Sequence, residues 1–279
     1  MVASVSVVVP CHNYARFLPR LFGALAAQDF PRERTEIVLA DDGSTDDSVA
    51  VAERLLPGLG AARSALLRLS HGGRPGRTRN EGLAAASGDY AVCLDPDDEP
   101  LPGFLAALAG ALDAGADVAY PDYEEVEADG TARAVRLPEF DPGLLRIQNI
   151  LAPTAMFRRA ALARTRGFRA NTDYEDWDLW VQMAQAGCVF RRVGAVLFRH
   201  HWHGGNFSHL AQANDGRAKA HLVRNTRRFF SPETGRWADA LLRGEPWAAP
   251  FGRGLIPRAE DVKRLETLVR ETTKGFPRA

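Results

Sequence analysis

Two groups of acidic residues stand out by type and spacing. They are Asp41-Asp42, followed by Gly43-Ser44-Thr45-Asp46, and Asp95-Pro96-Asp97-Asp98-Glu99. Clustered carboxylates repel one another, so a site that gathers them answers to a cation or a proton. Asp95-x-Asp97-Asp98 suits a hard divalent ion, Mn2+ or Mg2+, which takes one or two carboxylates together with substrate phosphates. Blander roles compete. Asp98 or Glu99 would cap a helix opening near Leu101-Pro102, and Ser44 or Thr45 would cap another with Asp46 and Asp47 in its first turn. His200, His201 and His203 crowd together further on, as a structural hydrogen-bonded corner would require.

Short β-branched runs alternate with helical periodicity over the first third of the chain. Strands are expected at 5–9, 36–40, 66–69 and 90–94, with helices at 16–28, 46–56 and 77–86. Such alternation gives a parallel sheet covered by helices on both faces, with ligands beyond the carboxyl ends of the strands. Three strands exit into 10–13, 41–44 and 95–99, which brings both acidic groups to one edge. A hairpin is expected over 121–135 with Asp129-Gly130 at its turn. Residues 140–153 have weak periodicity and are expected to line a site. A strand at 154–157, a short helix, an amphipathic helix at 173–186, helices at 218–229 and 258–273, and a linker at 246–257 complete the reading.

Composition bounds the function. The 279 residues carry 35 basic and 35 acidic side chains, so no global basic field marks a nucleic-acid binder. No stretch reads as a membrane span, and the start of the chain does not read as a signal peptide. Cys11, Cys93 and Cys188 are odd in number and far apart, which suits reduced thiols in a cytoplasmic protein.

The ordered motifs resemble the inverting glycosyltransferases of family 2, which have the GT-A fold. They begin with Val7-Val8-Val9-Pro10-Cys11-His12-Asn13-Tyr14 and Asp41-Asp42-Gly43-Ser44-Thr45-Asp46. Next come Arg79-Asn80-Glu81-Gly82, Ala86-Ser87-Gly88-Asp89-Tyr90 and Leu94-Asp95-Pro96-Asp97-Asp98. Gly167-Phe168, Glu175-Asp176-Trp177-Asp178-Leu179-Trp180, Phe198-Arg199 and His203-Gly204-Gly205-Asn206-Phe207-Ser208 close the series. The resemblance covers about residues 4–208. It implies an α/β GT-A domain over 1–210, with a mostly parallel central sheet flanked by helices, and a C-terminal helical extension over 211–279 packed on it.

Carried over residue by residue, the resemblance implies a nucleotide pocket at Pro10, His12 and Asn13, with Asp41 accepting a hydrogen bond from the base. Arg79 would lie near the nucleotide, and Asp97 would meet the ribose or share the metal. Asp98 would bind the metal, with His203 beside the diphosphate or on the metal. Asp176 would be the catalytic base, with Glu175 and Trp177 on the acceptor side. The implied reaction moves a hexose from a nucleoside-diphosphate sugar, a UDP-sugar by the resemblance, to a hydroxyl of a glycan, lipid-linked or small-molecule acceptor. A metal-assisted single in-line displacement would invert the anomeric carbon. The alternative is a non-catalytic sugar-nucleotide or glycan-binding relative. The apolar stripe at Val262, Leu265, Leu268 and Val269 is expected to pack on the domain, with a homodimer contact or a peripheral membrane contact as the other readings.

Overall fold

The computed structural model describes residues 3–152, 154–203, 213–248 and 251–274, with side chains as far as 268. The stretch Gly204–Ser208, expected to flank the diphosphate, lies outside the described residues, as does the side chain of Val269. The centre is one mixed sheet. β1 (Val5–Cys11) lies between β2 (Thr35–Asp41) and β4 (Tyr90–Cys93), with β3 (Arg63–Arg68) beyond β2, and these four run parallel. β1, β2 and β4 are buried along their whole length, as a sheet covered on both faces requires. β8 (Met156–Arg158) joins β4 antiparallel, and β6 (Val118–Val126) joins β8 antiparallel. β9 (Phe190–His201) runs parallel to β6 and pairs with the short β5 (Glu99–Pro100), giving the order β3-β2-β1-β4-β8-β6-β9-β5. β7 (Ala132–Val135) closes the expected hairpin on β6, with Gly130 at φ 85° in the turn.

The two faces separate by residue parity. Val5, Val7 and Val9 pack with α1 (Leu18–Ala26), α2 (Ser48–Leu55) and α4 (Phe104–Asp113). Val8 and Val38 pack instead toward α3 (Pro75–Ala85) and α7 (Glu175–Gln185). α3 can lie directly on β1 because Gly82 has no side chain; a Cβ there would meet Val8 Cγ1 at 2.4 Å. Two four-residue helices, α5 (Pro142–Leu145) and α6 (Arg159–Leu162), lead into α7. The α3 face also takes α8 (Asp215–Asn225), α9 (Pro232–Leu242) and α10 (Ala259–Lys274), through Leu222, Trp237 and Val262.

Several local expectations change. Ser44 and Thr45 do not cap α2, which starts only at Ser48; Asp46 precedes it and accepts the Ser48 amide at 2.9 Å. Glu99 is a strand residue and not a helix cap, and α4 opens after Gly103. α9, with Trp237 fully buried, is an element the sequence pattern did not signal. Among the described residues, no helix is long and apolar enough to cross a membrane.

Candidate active site

The exits of β1, β2 and β4 meet at one edge, where strand parity orders most of the side chains and Cys11, of the opposite parity, also borders the cavity. Pro10, His12 and Asp42 continue the Val8 and Val38 series and line a cavity of about 420 Å³ against α3. Asp41 belongs to the opposite parity. One of its oxygens accepts the Ser44 amide at 3.0 Å, while the other is buried without a hydrogen-bond partner. The acid that borders the cavity from this strand is therefore Asp42 and not Asp41. The Asp42 carboxylate accepts the amides of Gly72 at 2.8 Å and Gly73 at 2.9 Å. Asn13 is not among the lining residues either. It sits at φ 60°, and its Oδ1 accepts the Thr45 amide at 2.7 Å and the Asp46 amide at 3.2 Å, tying the first two exits together.

His71, which the sequence did not single out, completes this cavity. Its ring stacks on His12 at 4.2 Å, and both Nδ1 atoms lie 2.9 Å from Asp42 O. Among the described residues, ligand atoms of His12, Asp42 and His71 lie within 4.8 Å of one another. A carbonyl only accepts, so these two Nδ1 atoms carry protons and are not poised to bind a cation.

Three acids after β4 pair with histidines at the end of β9 and just beyond it, one histidine to each. His200 Nδ1 is 2.9 Å from Asp98 Oδ1, His203 Nε2 is 2.8 Å from Asp97 Oδ2, and His201 Nε2 is 3.0 Å from Glu99 Oε2. Burial, then Asp98 and Asp95, push the Asp97 carboxyl up to about 6. Burial also raises Asp98, against the opposing pull of His200. Asp98 is fully buried, and its Oδ2 has no hydrogen-bond partner. A buried carboxylate oxygen is costly unless something neutralises it, so the donor set of Asp97, Asp98 and His203 fits a hard divalent cation.

Arg79 connects the acidic loop after β4 to the Glu175-Asp176 pair. It is buried, with Nη2 2.7 Å from Asp95 Oδ1 and Nη1 2.7 Å from Glu175 Oε1. Burial works against its charge, but Asp95 and Glu175 more than offset this and raise its pKa. Burial pushes Glu175 up to about 7, although Arg79 opposes it. The expected place for Arg79 was beside the nucleotide; it is a bridge between two acids that also borders the cavity.

A second cavity, of about 540 Å³, shares Arg79 with the first and is lined by Asp97, Asp176 and His200. Tyr14, Arg79 and Asp95 border both cavities, so the two meet there. Burial raises the Asp176 carboxyl, while the Trp177 amide, Arg79 and Asn149 favour its charged form. Asn149 lies in the weakly periodic stretch, which does line the cavity through Gln148, Asn149 and Leu151. Trp177 is only 1% exposed, and its indole N–H donates to Leu145 O at 2.8 Å. It borders this second cavity, with most of its ring packed in the core. Arg253, Gly254 and Leu255, in the stretch expected to be a linker, also border this cavity.

Residues 6–167 match the model of the family described as Glycosyl transferase family 2. The chain belongs to glycosyl transferase family 2. It is 32% identical over 161 residues to the poly(ribitol-phosphate) beta-N-acetylglucosaminyltransferase TarS of Staphylococcus aureus, which covers 56% of this chain and 28% of that protein. The chain thus spans under a third of the length of that curated relative. Residues 1–349 of TarS, solved in complex with UDP-GlcNAc, superpose with a TM-score of 0.64 at 20% identity, over 98% of this chain and 92% of that one. The mannosyltransferase PcManGT of Pyrobaculum calidifontis, solved with GDP-Man and Mn2+, gives 0.64 at 19% identity, over 99% and 77%. The family member described here therefore has the GT-A fold, with its mixed, mostly parallel sheet flanked by helices.

Proposed function

We propose that the protein is a metal-dependent inverting glycosyltransferase that moves a sugar from a UDP-sugar to an acceptor hydroxyl. The observation that carries this reading is that two cavities meet at Tyr14, Arg79 and Asp95, and that the second is lined by both Asp97 of the acidic loop and Asp176. The first cavity would take the nucleotide, with Pro10, His12, His71 and Asp42 around the base. Asp97, Asp98 and His203 would hold Mn2+ or Mg2+. A cation bound there supplies charge neutralisation for the departing diphosphate.

Asp176 would take the proton of the acceptor hydroxyl. Asn149 fixes its carboxylate by a hydrogen bond of 2.9 Å, and Arg79, held on two acids, keeps positive charge beside it. Opposition of base and leaving group across the sugar gives one displacement and inversion. The UDP-GlcNAc complex of TarS supports uridine as the base and N-acetylglucosamine as a first donor to test. The acceptor of TarS, a poly(ribitol phosphate), makes a hydroxyl-rich polymer the first acceptor class to test. Three buried free cysteines suit a reducing, cytoplasmic setting.

The test is release of UDP from UDP-sugars with Mn2+, with and without acceptor glycans. Metal-dependent release that Asp176→Asn abolishes is the expected result. Tight UDP binding with no release from any sugar nucleotide would favour the non-catalytic binding relative.

A further inference from the structure

Among the bonds that join the helices after residue 213 to the candidate site, those of one carboxylate reach both the start of α7 and the cavity wall. Asp215, in the first turn of α8, accepts the Tyr174 hydroxyl at 2.7 Å and the Gly254 amide at 2.9 Å on Oδ1. Its Oδ2 lies 2.5 Å from Lys219 Nζ, one helical turn on. Lys219 is fully buried, and its ammonium also donates to Phe251 O at 2.7 Å and Gly252 O at 3.0 Å. Three oxygens thus satisfy its three N–H groups.

The two ends of this network matter for chemistry. Tyr174 immediately precedes Glu175 and Asp176 at the start of α7. Arg253, Gly254 and Leu255 border the cavity that holds Asp176. Parallel bonds tie the same stretch of chain to α8. Asn214 Nδ2 donates to Asp173 Oδ2 at 3.1 Å, Thr172 Oγ1 to Ala218 O at 2.9 Å, and Asn225 Nδ2 to Asp178 Oδ1 at 3.0 Å. Apolar side chains would hold α8 in place at least as stably as a buried ion pair. What the pair adds is direction, because it grips two carbonyls and one amide of a single loop.

We propose that Asp215, held by Lys219, is a positioning residue for sugar transfer: it locks residues 251–255 and Tyr174 together, so that the cavity wall and the first turn of α7 form one unit around Asp176. The proposal rests on Asp176 as the base. It makes the C-terminal helices part of the acceptor site and not an appendage to it.

Two variants of the full chain test this. Tyr174→Phe removes one bond and leaves the buried pair intact. The double variant Asp215→Leu with Lys219→Met replaces the pair by apolar groups and leaves no orphaned charge. Each is compared with wild type by amide hydrogen exchange and by UDP release from UDP-GlcNAc with Mn2+. In the double variant, amides at 251–255 and at 174–177 should exchange about tenfold faster or more, while those of β1 and β2 keep their rates. The kcat should fall about tenfold to a hundredfold with KM for UDP-GlcNAc unchanged, the effect of a slightly misplaced base. Tyr174→Phe should show a smaller kcat loss of the same kind.

Faster exchange in the loop alone, with kcat intact, would reduce the network to a structural clamp and overturn the proposal. So would a raised KM with kcat kept. If wild type releases no UDP from this sugar nucleotide, the donor assignment is at fault and exchange alone decides. Loss of protection in both segments then supports the network, and unchanged protection at 174–177 overturns it.

Discussion

Asn149 and Asp176 are joined by a hydrogen bond of 2.9 Å, from the Asn149 Nδ2 donor to the Asp176 Oδ2 acceptor. The bond links the irregular segment after α5 to the first turn of α7. It gives the proposed base a fixed direction inside the second cavity.

Asp176→Asn keeps the shape of the side chain but cannot take a proton. Turnover should fall by about 10²–10⁴, with KM for the sugar nucleotide nearly unchanged. Glu175→Gln should cost less, because Arg79 keeps Asp95 as a partner at 2.7 Å. Steady-state UDP release measures both; a dead Glu175→Gln beside an active Asp176→Asn would move the base by one residue.

The pH profile should follow Asp176. Burial raises its carboxyl above the usual 3.8, so the proton stays on to higher pH and activity should be lost on the acid side, above the ordinary aspartate range. Asn149 donates to the charged form. Asn149→Leu should therefore shift the acid limb of kcat/KM further upward, and a limb that moves down or stays put would contradict the geometry.

The unpartnered Asp98 Oδ2 predicts a metal-linked stabilisation. Mn2+ together with UDP should raise the melting temperature of wild type, by linkage worth about 2.7 kcal/mol at a hundredfold excess over Kd. Asp98→Ala should melt at the same temperature with and without Mn2+. Thermal scans with and without a chelator check this.

Glu36 should make stability fall in acid. Burial works against its charge, but Ser6, the Ser87 amide and Arg63 more than offset it and lower its pKa. A lowered folded pKa contributes stability above the unfolded value, near 4.5, which is lost as pH falls through the folded value. Glu36→Gln should remove that part of the acid transition; denaturant titrations between pH 7 and 3 measure it.

Gly82→Ala would place a Cβ 2.4 Å from Val8 Cγ1 and push α3 off β1. A loss of about 1–3 kcal/mol is expected, or about 2–4 °C of melting temperature for each kcal/mol. Arg79 sits one turn earlier on α3, so activity should fall as well.

The sequence by itself determined the parts that depend on neighbours along the chain. The β-branched runs with their buried strands, the Asp129-Gly130 turn, the amphipathic helix carrying Asp176 and the acidic exits of β2 and β4 all follow from local periodicity and composition. Only the tertiary structure decided which side chain meets which. Asp42 takes the cavity position from Asp41 because sheet parity relative to α3 selects one of two adjacent acids. Arg79 finds Glu175 at a separation of 96 residues, Asp97 finds His203 at 106, and Asp215 finds Gly254 at 39. These meetings depend on strand order, on the register of β9 against β5 and on the docking of α8 beside α7. Each of these is settled by burying apolar surface across the whole chain, which local spacing does not encode.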